Sequence, residues 1–116
     1  MTLRFAEICL DANDTGALAA WWSGALGWPV EPAEDDGEWW LRAPAGQGPD
    51  WLFLPVPEGK TVKNRIHLDF TPGDQTAEVA RLIALGARHV DIGQGEQTWV
   101  VLADPEGNEF CVLAAE

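Results

Sequence analysis

Tyrosine is absent from this chain, and seven Lys and Arg stand against 19 Asp and Glu, for a formal net charge of −12. So few cations exclude nucleic acid and anionic membrane as partners, because both need clustered Lys and Arg to neutralise phosphates. The two cysteines, Cys9 and Cys111, are too few for a disulfide scaffold and form no Cys-x-x-Cys pair. Ser23 is the only serine and falls in a helical stretch, away from any His and Asp that could activate it. Gly93 to Gly95 opens no helix, so no glycine-rich phosphate cradle follows a strand. No run approaches the ~20 apolar residues needed to span a bilayer. The first residues reach Glu7 before any apolar run of signal-peptide length, so the expected location is the cytoplasm.

What is present suits one ordinary domain: 116 residues, 47% of them hydrophobic, with seven Trp. A chain of this length buries roughly two thirds of its unfolded surface, enough to fold without a disulfide or a metal. The strongest internal signal is a repeat. Ile8-Cys9-Leu10-Asp11 returns as Ile66-His67-Leu68-Asp69, and Leu26-Gly27 returns as Leu85-Gly86. Trp40-Leu41 matches Trp99-Val100, and Pro44-Ala45-Gly46 matches Pro105-Glu106-Gly107, in the same order and at a nearly constant offset.

Each copy predicts a strand, a helix and three further strands. Residues 4–11 alternate, with Ala6, Ile8 and Leu10 opposite Glu7, Cys9 and Asp11. Asp14 caps a helix over 15–26 that ends at Gly27, with Leu18, Trp21, Trp22 and Ala25 as its apolar side. Strands follow near 28–31, 38–43 and 51–55. In the second copy, a strand over 65–71 leads to Asp74 as cap, a stripe of Val79, Leu82 and Ile83, and Gly86 as stop. Its last strands fall near 88–92, 98–103 and 109–114. The units are 1–58 and 65–116, joined by a linker within 56–64. The expected fold class is therefore α+β: two tandem βαβββ units forming a cupped eight-stranded mixed sheet, with the helices outside.

If the apolar faces go to the helices, alternation turns Glu7, Cys9 and Asp11 into the cup, with His67, Asp69, Thr71 and Cys111. Glu7 is a mid-strand carboxylate that is costly if buried unpaired, so it requires a cation, a donor or solvent. His67 beside Asp69 reads either as a hydrogen-bonded structural histidine or as a ligand. Cys111 reads either as a small buried hydrophobe or as a ligand. Trp39 and Trp40 cannot share a strand face, so one packs under a helix and the other lines the cup or a subunit contact. Trp51 and Trp99 are cup candidates or core. Lys60, Lys63 and Arg65 decorate the linker or hold an acidic group at the rim.

These landmarks resemble the glyoxalase, bleomycin-resistance and extradiol-dioxygenase superfamily, the vicinal oxygen chelate fold, over essentially the whole chain. The resemblance is carried by Trp21-Trp22 with Leu26-Gly27 and by Asp104-Pro105-Glu106-Gly107-Asn108-Glu109-Phe110. Within the superfamily, the run from Lys60 through Asp69 with the Asn108-to-Cys111 ending is similar to a glyoxalase-like subgroup. In such enzymes each unit gives a divalent metal one ligand from its first strand and one from its last. Carried over, Glu7 takes the first position, His67 the third and Cys111 the fourth. The second falls at Phe53, give or take one residue, where neither Leu52, Phe53 nor Leu54 can bind a metal.

No cofactor follows from such a broken set; a metal, if bound, would be held by Glu7, His67 and Cys111, a mixture zinc tolerates better than iron or manganese. The resemblance implies two functions. One is a binding protein like the bleomycin-resistance branch, which holds planar cations in aromatic-lined clefts, usually as a homodimer. Its ligand-binding set would be Glu7, Cys9, Asp11, Trp40, Phe53, His67, Asp69, Trp99 and Cys111. The other is a metal-dependent lyase, isomerase or dioxygenase, with Glu7 as ligand or general base and His67 as ligand. The expected partners are a small-molecule ligand and a second copy of the chain.

Overall fold

The computed structural model describes residues 2–95 and 97–115. The chain divides into two compact units, the first ending at Gly59 and the second beginning at Lys60. The outer bounds of the expected units, Met1 and Glu116, lie outside the described residues. The fold is α+β, built from two successive βαβββ units. Each forms its own four-stranded mixed sheet, which corrects the expected single eight-stranded sheet. The physical reason is local pairing: the first strand of each unit bonds in parallel to the last strand of the same unit. No described helix is long and apolar enough to cross a membrane.

The first unit comprises β1 (Glu7–Ala12), α1 (Thr15–Leu26), β2 (Val30–Pro32), β3 (Trp39–Leu41) and β4 (Asp50–Pro55). Its sheet runs β1-β4-β3-β2. The Asp14 carboxylate accepts the Ala17 N–H at 3.1 Å to start α1. Gly27 at φ 73° ends it, in the left-handed conformation that favours glycine. Leu18, Ala19 and Trp22 are buried. Trp22 meets Trp51 of β4 edge to face, with ring centroids 5.0 Å apart, so Trp51 marks the face of the sheet under α1.

The second unit comprises β5 (Leu68–Phe70), α2 (Gln75–Leu85), β6 (Arg88–His89), β7 (Val100–Ala103) and β8 (Glu109–Val112), in sheet order β5-β8-β7-β6. Asp74 caps α2 by accepting the Ala77 N–H at 3.0 Å. Of the expected α2 stripe, Leu82 is buried, Val79 is half-buried and Ile83 is exposed. Residues 65–67, expected as strand, precede β5 as irregular chain. The turn between β7 and β8 is fixed by Asp104, which has no exposed surface. Its Oδ1 accepts the Glu106 N–H at 2.9 Å and the Asn108 N–H at 3.0 Å, and Asn108 Nδ2 donates to the same carboxylate. The Asp-Pro-Glu-Gly-Asn motif is therefore a self-contained hydrogen-bonded turn.

Candidate functional site

Strand register decides which side chains of the first unit share a face. Glu7, Cys9 and Asp11 pair with Asp50, Leu52 and Leu54, and Leu52 pairs with Trp40. Paired residues point to the same side, so this set lies opposite Trp51 and α1. Trp39 pairs with Phe53 on the α1 side, where its indole lies against Gly16. The adjacent tryptophans thus divide as the alternation requires, Trp39 under the helix and Trp40 away from it.

Phe53, placed in the ligand-binding set by the sequence, is corrected: it has no exposed surface and packs beside Trp51 in the core. Register gives the reason, because Leu52 and Leu54 occupy the face away from α1. Neither has a donor atom. Trp51 is core as well.

That face is acidic and aromatic. Cys9 is exposed, yet its thiol pKa is raised, first by partial desolvation and then by the charges of Glu7, Asp11 and Glu38. Arg42 has its guanidinium carbon 4.3 Å above the Trp40 ring. It donates to Glu31 at 2.6 Å and to Asp50 at 2.9 Å. The Ala43 N–H and the Arg42 side chain hold the Asp50 carboxyl below its ordinary value. The sequence reading missed Arg42 and Glu38. Two-residue spacing from Trp40 was the signal, since residues i and i+2 share a strand face.

In the second unit, Asp69 of β5 pairs with Cys111 of β8, so both point to one side. His67 Nδ1 lies 3.7 Å from Asp69 Oδ1. One donor atom from each of His67, Asp69 and Cys111 lies within 4.8 Å of the others. Cys111 is buried, and its thiol is pushed up to about 11, chiefly by desolvation and then by Asp69, which accepts its hydrogen bond. Lys63 acts weakly the other way. Trp99, directly before β7, is half-buried, and Thr71 follows β5 as an exposed residue.

Lys60 is not a free linker cation: its Nζ lies 3.0 Å from the Glu109 carboxylate, which also accepts the Asn64 N–H at 2.9 Å. Burial alone would raise the Glu109 pKa, but the Asn64 N–H and Lys60 together hold it below its ordinary value.

The metal set implied by the resemblance does not fit as a whole, because its second position presents leucine side chains to that face. Among the described residues, His67 and Cys111 of the second unit have donor atoms gathered with a third, and that third is Asp69.

The architecture is shared with solved structures. The fosfomycin resistance protein FosX from Mesorhizobium loti is 14% identical with a TM-score of 0.72, covering 100% of this chain and 94% of that one. The oxidase ChaP-H2 is 19% identical with a TM-score of 0.70, covering 100% and 96%. A glyoxalase/bleomycin resistance protein/dioxygenase family enzyme from Burkholderia phytofirmans PsJN is 18% identical with a TM-score of 0.68, covering 92% and 94%. These likenesses show a shared fold. The model of the glyoxalase-like domain matches residues 7–113, and the chain belongs to that family. A search of curated proteins found no match.

Proposed function

We propose that this protein binds a small, planar, cationic molecule without transforming it, against the acidic, tryptophan-bearing face of the first unit. The observation that carries this reading is the grouping of Glu7, Asp11 and Glu38 around Cys9 on the side that also presents Trp40. Carboxylates attract a cation, and the indole face adds a stacking surface and a cation–π contact. Arg42 already seats a guanidinium on Trp40 between Glu31 and Asp50, which supports the suitability of this chemistry for a positive group.

The test is quenching of tryptophan fluorescence by ethidium, a planar cation, compared with 8-anilinonaphthalene-1-sulfonate, an aromatic anion. Saturable quenching by ethidium alone is expected, weakened about tenfold or more by Trp40→Ala, a loss of ~1.4 kcal/mol. Absence of saturation at about millimolar ethidium, or equal binding of the anion, would sink the reading.

A second reading is favoured by the His67, Asp69 and Cys111 grouping: a metal-dependent lyase, isomerase or dioxygenase. Metal analysis of protein purified without a polyhistidine tag separates the readings. Less than about a tenth of an equivalent, with none retained on soaking, disposes of the enzyme.

A further inference from the structure

We propose that Arg42 is a displaceable internal occupant of the Trp40 site: its guanidinium stands where the cation of a ligand binds, and the ligand must push it off the ring. The inference rests on the reading that this face takes a planar cation, and adds the residue that sets its affinity.

The guanidinium is held as a ligand would be. Its carbon lies 4.3 Å from the Trp40 ring centroid, within the range of a cation–π contact. Its Nε donates to Glu31 at 2.6 Å and one Nη donates to Asp50 at 2.9 Å. Glu31 and Trp40 are register partners across β2 and β3, so a carboxylate flanks the indole on the same side of the sheet. A planar cation with N–H donors that entered from solution would meet the same three groups. One ring face holds one cation, so binding there and the Arg42 contact exclude each other.

The acceptors do not depend on Arg42 for their place. Asp50 Oδ1 accepts the Ala43 N–H at 2.8 Å, so the backbone keeps this carboxylate positioned after Arg42 leaves. That N–H comes before Arg42 among the causes of the lowered Asp50 pKa, so the group stays charged meanwhile. The Arg42 main chain is fixed by its N–H donating to the Pro29 carbonyl at 2.9 Å. Its side chain is 40% exposed, and those of Glu31 and Asp50 are 53% and 33% exposed. The guanidinium therefore swings into water at low cost, because exposed ion pairs and a single stacked cation are each weak. Apparent affinity for a ligand is lowered by the fraction of molecules in which Arg42 covers the ring.

Ethidium titration of the full chain, read by tryptophan quenching, tests this in Arg42→Lys and Arg42→Gln. Lysine keeps the charge but offers a point ammonium, which neither lies flat on an indole nor forks between two carboxylates. Arg42→Lys should therefore bind ethidium roughly 5- to 20-fold more tightly than the unaltered chain, and Arg42→Gln at least as tightly as Arg42→Lys. The gain from Arg42→Lys should vanish in a Trp40→Ala background, since there is then no ring to uncover. Tightening in Arg42→Gln alone would reflect only the lost positive charge and would overturn the proposal. Unchanged or weaker binding in both variants, or a gain that persists without Trp40, would overturn it as well. Each of these results leaves the cation-binding reading standing, whereas no saturable quenching in any of the three proteins sinks both.

Discussion

The two units share one plan but fill it differently. The first packs Trp22, Trp28 and Trp51 with Phe53 between α1 and its sheet, and edge-to-face contacts link the indoles. The second has one tryptophan, half-buried Trp99, and covers its strands with an α2 that buries Leu82 alone. Smaller side chains are commoner in its core, where Ala87, Val101, Ala103, Cys111 and Val112 accompany Leu102 and Phe110. A repeated backbone plan therefore does not impose a repeated core. Large aromatics carry the packing where the opposite sheet face is charged, and hydrogen-bonded polar groups supplement it where the helix buries little.

The sharpest way to break this comparison is to remove one anchor from each helix. Trp22→Ala should cost about 3–5 kcal/mol and Leu82→Ala about 2 kcal/mol, read from urea unfolding midpoints by circular dichroism. Equal losses would mean that the tryptophan cluster is not the stronger core. Asp104→Ala should follow at about 2 kcal/mol, since it strands part-buried N–H groups of the β7–β8 turn. Ala45, which matches Glu106 in the corresponding turn of the first unit, should tolerate Ser within about 0.5 kcal/mol because it is exposed.

The caps offer the converse test, because here the units are alike. Asp14→Ala and Asp74→Ala should each cost about 1 kcal/mol, and a cap that cost nothing would break the equivalence.

The smallest effect concerns acid. Glu109 is held below its ordinary pKa of 4.5 in the folded chain, so its contribution is present above 4.5 and fades as pH falls through the folded value. Glu109→Gln should flatten the acid limb of the stability profile below about pH 4.5, and an unchanged slope there would remove Glu109 from the account.

Much of the plan was legible because it rests on local rules. Asp14 and Gly27, and Asp74 and Gly86, bound the helices where capping chemistry requires. Period-two alternation separated Glu7, Cys9 and Asp11 from their apolar neighbours, and Trp40 from Trp39. Phe53 was misread because a family position carried over to within one residue cannot choose between opposite strand faces; only register does. Arg42 on Trp40 combines two-residue spacing, visible in the sequence, with pairing to Asp50, which needs the folded β3–β4 turn. Lys60 looked like a linker cation because its partner, Glu109, lies 49 residues away.

The order of elements, their caps, the repeat and the acidic balance were set by the residues alone, since helix ends, turns and alternation depend on neighbours along the chain. Which strands pair, and hence that each unit closes its own sheet and that Asp69 meets Cys111, was decided only in three dimensions. Pairing is a contest among distant segments, and its winner is chosen by burial and backbone hydrogen bonding together.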